Sequence, residues 1–446
     1  MRATFTEGSI FRHICAMTLA SAMGLLLLFF VDVLDMFWLS LLGEVQLAAA
    51  LGYAGSILFF TLSVGIGLSI ACSAVVSQSI GKGDEEQTQK LVGSVLLITF
   101  LLTLPILVVV LAATSPVLSW LGAGDKSFTF ARNYMWIVLP SMPLMTLSMA
   151  CTGVLRAFGH AKEAMYVTLI AGVVNAVLDP LFIFGVGWGI EGAAVATALS
   201  RVAMLAYALW QIILVKRYFV LPELGEIRRN VTAFFQVAVP AMLTNLSTPV
   251  SFAYVTSVMA DFGDSAVAGN TVLVKIQPLA FAGLFALSGA IGPIVGQNFG
   301  AAKPARIMET LKKSLLFIVI YCVVACGSLF FLSELIVQMF KAQNDAAEII
   351  RWFCLGISTI FLFNGITFCT NSIFNNLEVA HWATYINLAK ATLFTIPFVY
   401  FGAELGGPVG VWLGMYLGSV IVAVFGLLLA YNKIRWVWRA SKVAPL

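Results

Sequence analysis

The sequence predicts an all-α polytopic membrane protein: twelve transmembrane helices in two pseudo-symmetric six-helix bundles. Three observations predict it. First, hydrophobic residues make up 61% of the 446 and charged residues only 10%, whereas soluble domains are about 45–50% apolar and about 25% charged. Second, apolar stretches of about 20 residues, each enough to cross about 30 Å of hydrocarbon, recur along the whole chain. Third, the second half repeats the first. Gly43-EVQLAAAL matches Gly263-DSAVAGNT at an offset of 220, Ser77-QSIG matches Gly296-QNFG at 219, and Pro180-LFIFG matches Pro397-FVYFG at 217. Three anchors in order at a nearly constant offset identify two homologous halves.

The spans fall at roughly 10–42, 47–80, 87–118, 128–155, 162–185, 191–216, 232–261, 265–299, 304–340, 346–376, 380–402 and 408–432. The first is too long for a signal h-region, so no cleavable leader is expected. An even number of spans per repeat keeps the halves in one orientation, related by an axis along the membrane normal. The expected organisation is therefore an N-terminal bundle (1–216), a polar linker (217–231) and a C-terminal bundle (232–446).

With both termini on one side, eighteen of the 25 Lys and Arg residues fall on that side. The other side holds Lys126, Arg132, Lys341 and Arg351, and Arg201, Lys275 and Lys390 lie within spans. The positive-inside rule then places both termini in the cytoplasm. The net charge of +4 is spread over these loops and calls for no nucleic-acid partner. The seven cysteines all lie in apolar segments without a CxxC pair, which argues against a disulfide framework or zinc site.

Asp35 and Asp179 carry the most functional information. A carboxylate at membrane depth costs a few kcal/mol or more and marks a proton, ion or substrate site by default. Asp35 lies eight residues before Gly43 and Asp179 six before Gly185, so the two share a depth. Asn175 is i,i+4 from Asp179 and lies on its face. Pro180 removes a backbone donor and frees the carbonyl of Ala176 beside the same site. Two carboxylates this close do not both ionise cheaply, so one is expected to hold a proton. The competing structural reading is an ion pair, with Arg201 as the available cation. Asp32, i,i+3 from Asp35, either widens the acidic site or pairs with a base.

Toward the C-terminal half, Lys275 and Lys390 lie about twelve residues from Gly263 and Gly402, near mid-membrane. They are candidates for an anionic group or for pairing with acids. Asn364, Thr367, Asn371 and Asn375 recur at three- and four-residue steps and form one polar stripe on the tenth span. Either they line a substrate cavity or they hydrogen-bond neighbouring helices.

VDVLDMFWLSLLGEVQLAAA in the first span, GVLRAFGHAKEAM at the fourth-to-fifth junction, NAVLDPLFIF in the fifth span and GQNFGAAKPARI after the eighth resemble multidrug and toxic compound extrusion (MATE) transporters, most closely the prokaryotic DinF-type branch. The resemblance covers essentially the whole chain. It implies cation-driven efflux, with the cation site in the N-terminal bundle. Residue by residue, that site maps onto Asp35, Asn175, Asp179, a fourth-span Tyr134 and a sixth-span Thr197, with Pro180 as a helix break. Tyr134 lies about six residues inside the outer end of its span and Thr197 six inside Glu191, level with the aspartates at about 1.5 Å per residue.

Two departures stand out. The first proline in the chain is Pro105, so a bend of the first span needs another hinge, around Gly24. The C-terminal bundle has Asn and Thr where sodium-coupled relatives of another branch carry acids, which disfavours a cation site there. The expected function is a secondary active antiporter of the bacterial inner membrane and not an enzyme. It exports amphipathic, cationic compounds in exchange for protons, with sodium as the alternative ion. Asp32, Lys275, Asn364, Asn371 and Lys390 line the expected substrate cleft. No cofactor is expected, no metal beyond sodium, and the chain is expected to be a monomer in the bilayer. The rival expectation is a flippase for lipid-linked oligosaccharides or lipids, of a related two-bundle architecture, favoured by Lys275, Lys390 and Arg201.

Overall fold

The computed structural model describes residues 3–42 and 45–443. Within them the side chains of several residues, Asp32 among them, lie outside what is described. Among the described residues ten helices are long and apolar enough to cross a membrane, and the pair Asp264–Ala280 and Ala282–Gly300, bent by 49°, counts as an eleventh span. The 62-residue stretch Ala380–Ser441 is two spans broken at Gly406 and Gly407. Gly407 takes a φ of 58°, a left-handed conformation that a side chain would resist, and Pro408 follows. The count is therefore twelve, as the sequence predicts.

The chain packs as two units. Of the described residues, one unit comprises 23–42, 45–80 and 84–242; the other comprises 3–22, 81–83 and 243–443. The repeat assigns halves by sequence, whereas packing assigns them by contact, and the two schemes differ in the first and seventh spans. The first span is one continuous helix, Ile10–Ser40, and its packing changes between residues 22 and 23, beside Gly24. The seventh begins at Leu224, so the second half of the expected linker is helical.

In the first unit, an apolar cluster toward the expected outer end joins five spans through Leu47, Ala54, Val110, Leu118, Met135, Ile183 and Ala194. The fifth span runs as an α-helix through Pro180 and then relaxes into a π turn, Leu181–Gly185. Gly192 on the sixth span lies against the backbone of Phe182, and no Cβ would fit there. At the opposite end of this unit, Tyr218 stacks on Phe158 at 3.8 Å and lies 2.8 Å from His160 Nε2. Glu163 pairs there with Lys216 at 3.1 Å.

The second unit closes its corresponding end differently. The short 3₁₀ turn Thr4–Thr6 delivers Phe5 to a buried position. Its N–H donates to Gln297 Oε1 at 2.8 Å, and its carbonyl accepts from Asn298 Nδ2 at 3.1 Å and Arg306 Nη2 at 3.0 Å. The GQNFGAAKPARI segment thus satisfies the backbone of the chain that leads into the first span. Between the eleventh and twelfth spans, Gly402 meets Gly410, Gly414 meets the carbonyl of Phe398, and Gly418 meets that of Phe394. Small residues allow this close backbone approach, on which helix association in lipid relies.

Candidate cation and substrate sites

Asp179 is fully buried in the first unit and Asn175 nearly so. Asn175 Nδ2 donates to Asp179 Oδ1 at 3.2 Å, as their i,i+4 spacing requires. The half-buried Asp35 carboxyl lies within hydrogen-bonding reach of Asp179. Asp35 Oδ1 and Asp179 Oδ2 are both buried with no donor from the protein. Two ionised carboxylates offer only acceptors, so a bond between them requires a proton on one. Alternatively a small cation can be shared by both. Buried acceptors without donors are costly, and a proton or small cation held between them would satisfy them.

Tyr134 is buried and hydrogen-bonded to the Thr197 side chain, and both aspartates act on it electrostatically. It belongs to the apolar cluster, so the acid pair borders a dry wall on that side. Arg201 does not neutralise the acids. Its guanidinium donates to the Val138 carbonyl at 3.3 Å and to Ser141 Oγ at 3.0 Å, at the short 3₁₀ turn Leu139–Ser141 that interrupts the fourth span. That turn supplies the acceptors that draw the cation away. Asp32 lies outside the described side chains, so its place in the site is not part of this geometry.

In the second unit, Lys390 Nζ donates to Asn364 Oδ1 at 2.6 Å. Asn387, on the same face one turn earlier, donates to Asn371 Oδ1 at 3.0 Å and to the Ala383 carbonyl at 2.7 Å. Asn364 and Asn371 therefore tie the tenth span to the eleventh, and Asn387 is a member that sequence reasoning missed. Its i,i+3 spacing to Lys390 was the available signal. Lys390 opens a π turn, Lys390–Phe394, whose freed carbonyl accepts from Thr395 N at 2.9 Å and Thr395 Oγ1 at 2.7 Å. Thr367 bonds back to its own helix at Phe363, and Asn375 Oδ1 is buried without a donor. Lys275 sits on the exposed face of the eighth span, apart from this network.

Comparison with known proteins places these features in a family. The model of the MatE family matches residues 20–181 and again 240–401, so its two copies coincide with the two halves of the internal repeat. Among curated proteins the chain is 26% identical to the FAD transporter of Shewanella oneidensis, over 93% of this chain and 92% of that one. It is 22% identical to the multidrug export protein MepA of Staphylococcus haemolyticus, over 96% and 95%. Among solved structures, the Vibrio cholerae MATE transporter VcmN superposes with a TM-score of 0.91 at 24% identity, covering 96% of this chain and 97% of that one.

Proposed function

We propose, from the premise that this chain belongs to the MatE family of membrane transporters, that it exports amphipathic small molecules in exchange for a cation, the proton first and sodium second. Asp35 and Asp179 bind the coupling ion, Asn175 holds Asp179 in place, and Tyr134 and Thr197 complete the wall. The observation that carries the reading is two carboxyl groups within hydrogen-bonding reach of each other, each with a buried oxygen that no donor meets. Binding a proton there removes the repulsion between two acids. It thereby favours whichever conformation holds them close, and an ion shifts such an equilibrium only through differential affinity for its states. The proposed location is a bacterial cytoplasmic membrane with both termini inside, supported by the distribution of Lys and Arg.

Transport in proteoliposomes, with pH and sodium gradients imposed separately, tests this. Cationic dye should move against a pH gradient in the unmodified chain and not in Asp179→Asn. Undiminished gradient-driven transport by that variant would sink the coupling role.

A second reading concerns the substrate. Lys390 is a cation within a bundle whose spans carry no acid at its depth, and one relative is named for transport of FAD, an anionic compound. This supports a substrate that presents an anionic group toward Lys390. Competition between a cationic dye and a flavin nucleotide in the same proteoliposomes separates the two substrate classes.

A further inference from the structure

Outside the transport machinery, the second unit carries two adjoining concavities that meet at Trp382. One is an apolar groove of about 460 Å³ between the eleventh and twelfth spans, lined by Tyr385, Phe394, Ile421, Phe425 and Leu429. The other is a pocket of about 550 Å³ lined by Asn432, Lys433, Arg435, Trp436 and Arg439. Trp382 lines both and is held edge-on against Phe374.

We propose that this double cavity binds one anionic diacyl phospholipid, its phosphate among Lys433, Arg435 and Arg439 and an acyl chain in the groove. Four observations carry it. From Ile421 to Asn432 a helix rises about 16 Å, which is about one leaflet of a hydrocarbon core about 30 Å thick. The apolar groove occupies that depth and the basic pocket lies just beyond it. Lys433 and Arg435 lie over the rings of Trp436 and Tyr431, at 4.4 and 5.6 Å, which orients them at the level of headgroups. Among the described residues none of the three cations has a carboxylate within ion-pair distance; Glu378 acts on Lys433 from further off. The charge distribution puts this end in the cytoplasm, where the leaflet is anionic and basic pockets between spans select such lipids.

Native mass spectrometry of the delipidated full chain tests the site. The chain is titrated with phosphatidylglycerol, with phosphatidylcholine of the same acyl chains, and with glycerol phosphate. Phosphatidylglycerol should bind in preference to phosphatidylcholine. Arg435→Gln with Arg439→Gln should weaken it by roughly 30-fold, about fivefold per charge. Ala389→Phe, which fills the groove, should weaken the lipid and leave glycerol phosphate unchanged. Equal retention of the two lipids by the unmodified chain overturns the proposal without recourse to any variant. Glycerol phosphate binding as tightly as the lipid would make this an anion site with no role for the groove, and also overturns it. Dye efflux by the double variant should persist, which separates failure here from failure of the transport reading.

Discussion

The two halves of this chain share a scaffold and not a chemistry. At the repeat offset of the PLFIFG motif, the fully buried Asp179 of the first unit corresponds to Ile396, which is 41% exposed. Asp35, eight residues before Gly43, corresponds to Val255, eight before Gly263 and fully buried. In the other direction, the second unit holds Lys390 against Asn364, and at the offset of the PLFIFG motif Lys390 corresponds to the apolar Val173. Backbone packing diverges as well. Gly402, Gly410, Gly414 and Gly418 each lie against the backbone of the neighbouring span in the second unit, whereas between the fifth and sixth spans of the first unit Gly192 does so. Helical period and small-residue spacing suffice to build a six-span bundle twice. The intramembrane charges are additions to that plan, an acid pair with Arg201 in the first half and Lys390 in the second, and each is costly enough in hydrocarbon to imply a use.

The largest expected effect breaks the comparison at its acid side. Asp179→Asn and Asp35→Asn should each reduce gradient-driven efflux to background with little change in thermal stability, because amide and carboxyl are nearly isosteric. Introducing aspartate at Val255 should confer no coupling, since the position is wholly buried and the bundle supplies it no second acid. Measuring efflux and melting temperature on the same preparations checks both.

Next comes the packing difference. Gly414→Ala drives a methyl group into the Phe398 carbonyl and should cost about 1–3 kcal/mol, read as a lowered melting temperature. Ala196→Gly in the first unit should cost no more than about 1 kcal/mol, the helix-propensity difference.

Lys390→Gln keeps a donor for Asn364 and removes the charge. Uptake of a flavin nucleotide should fall while that of a cationic dye is unchanged; equal losses for both would assign Lys390 to structure alone. Asn175→Ala removes one hydrogen bond to Asp179, worth about 0.5–1.5 kcal/mol. It should shift the proton concentration for half-maximal transport by roughly 3- to 10-fold.

The smallest effect concerns the polar caps of the two units. Burial holds the His160 imidazole below its ordinary 6.5; Glu163 opposes this and Lys216 reinforces it. The neutral form is the one the folded cap favours, so its stabilisation is complete above pH 6.5 and is lost as pH falls below that value. The cap of the second unit uses the permanent cation Arg306 on backbone carbonyls. Melting temperature should therefore decline between pH 6.5 and 5, and His160→Gln should flatten that decline.

Much of this was legible in the sequence. Apolar length marked the spans, and the offset anchors marked the repeat. Depth counting brought Asp35, Asn175, Asp179, Tyr134 and Thr197 to one level. What the sequence left open was azimuth and packing. Arg201 lay at the right depth to neutralise an aspartate, yet it turns to Val138 and Ser141. Asn364 and Asn371 had the spacing either to line a cavity or to bond a neighbouring helix, and they are bound to Lys390 and Asn387. Residues 3–22, assigned to the N-terminal half by sequence order, pack with the second unit through Phe5 and Arg306.

By itself the sequence determined the class, the number of spans, the repeat and the depth of each buried charge. These follow from hydrocarbon thickness and helical rise, which are the same for every helix. The tertiary structure alone decided which neighbour each polar face meets. That depends on the rotation of one helix against the next and on local breaks such as the 3₁₀ turn before Met142 and the π turn at Lys390. Helical periodicity specifies a face, and only packing specifies what the face touches.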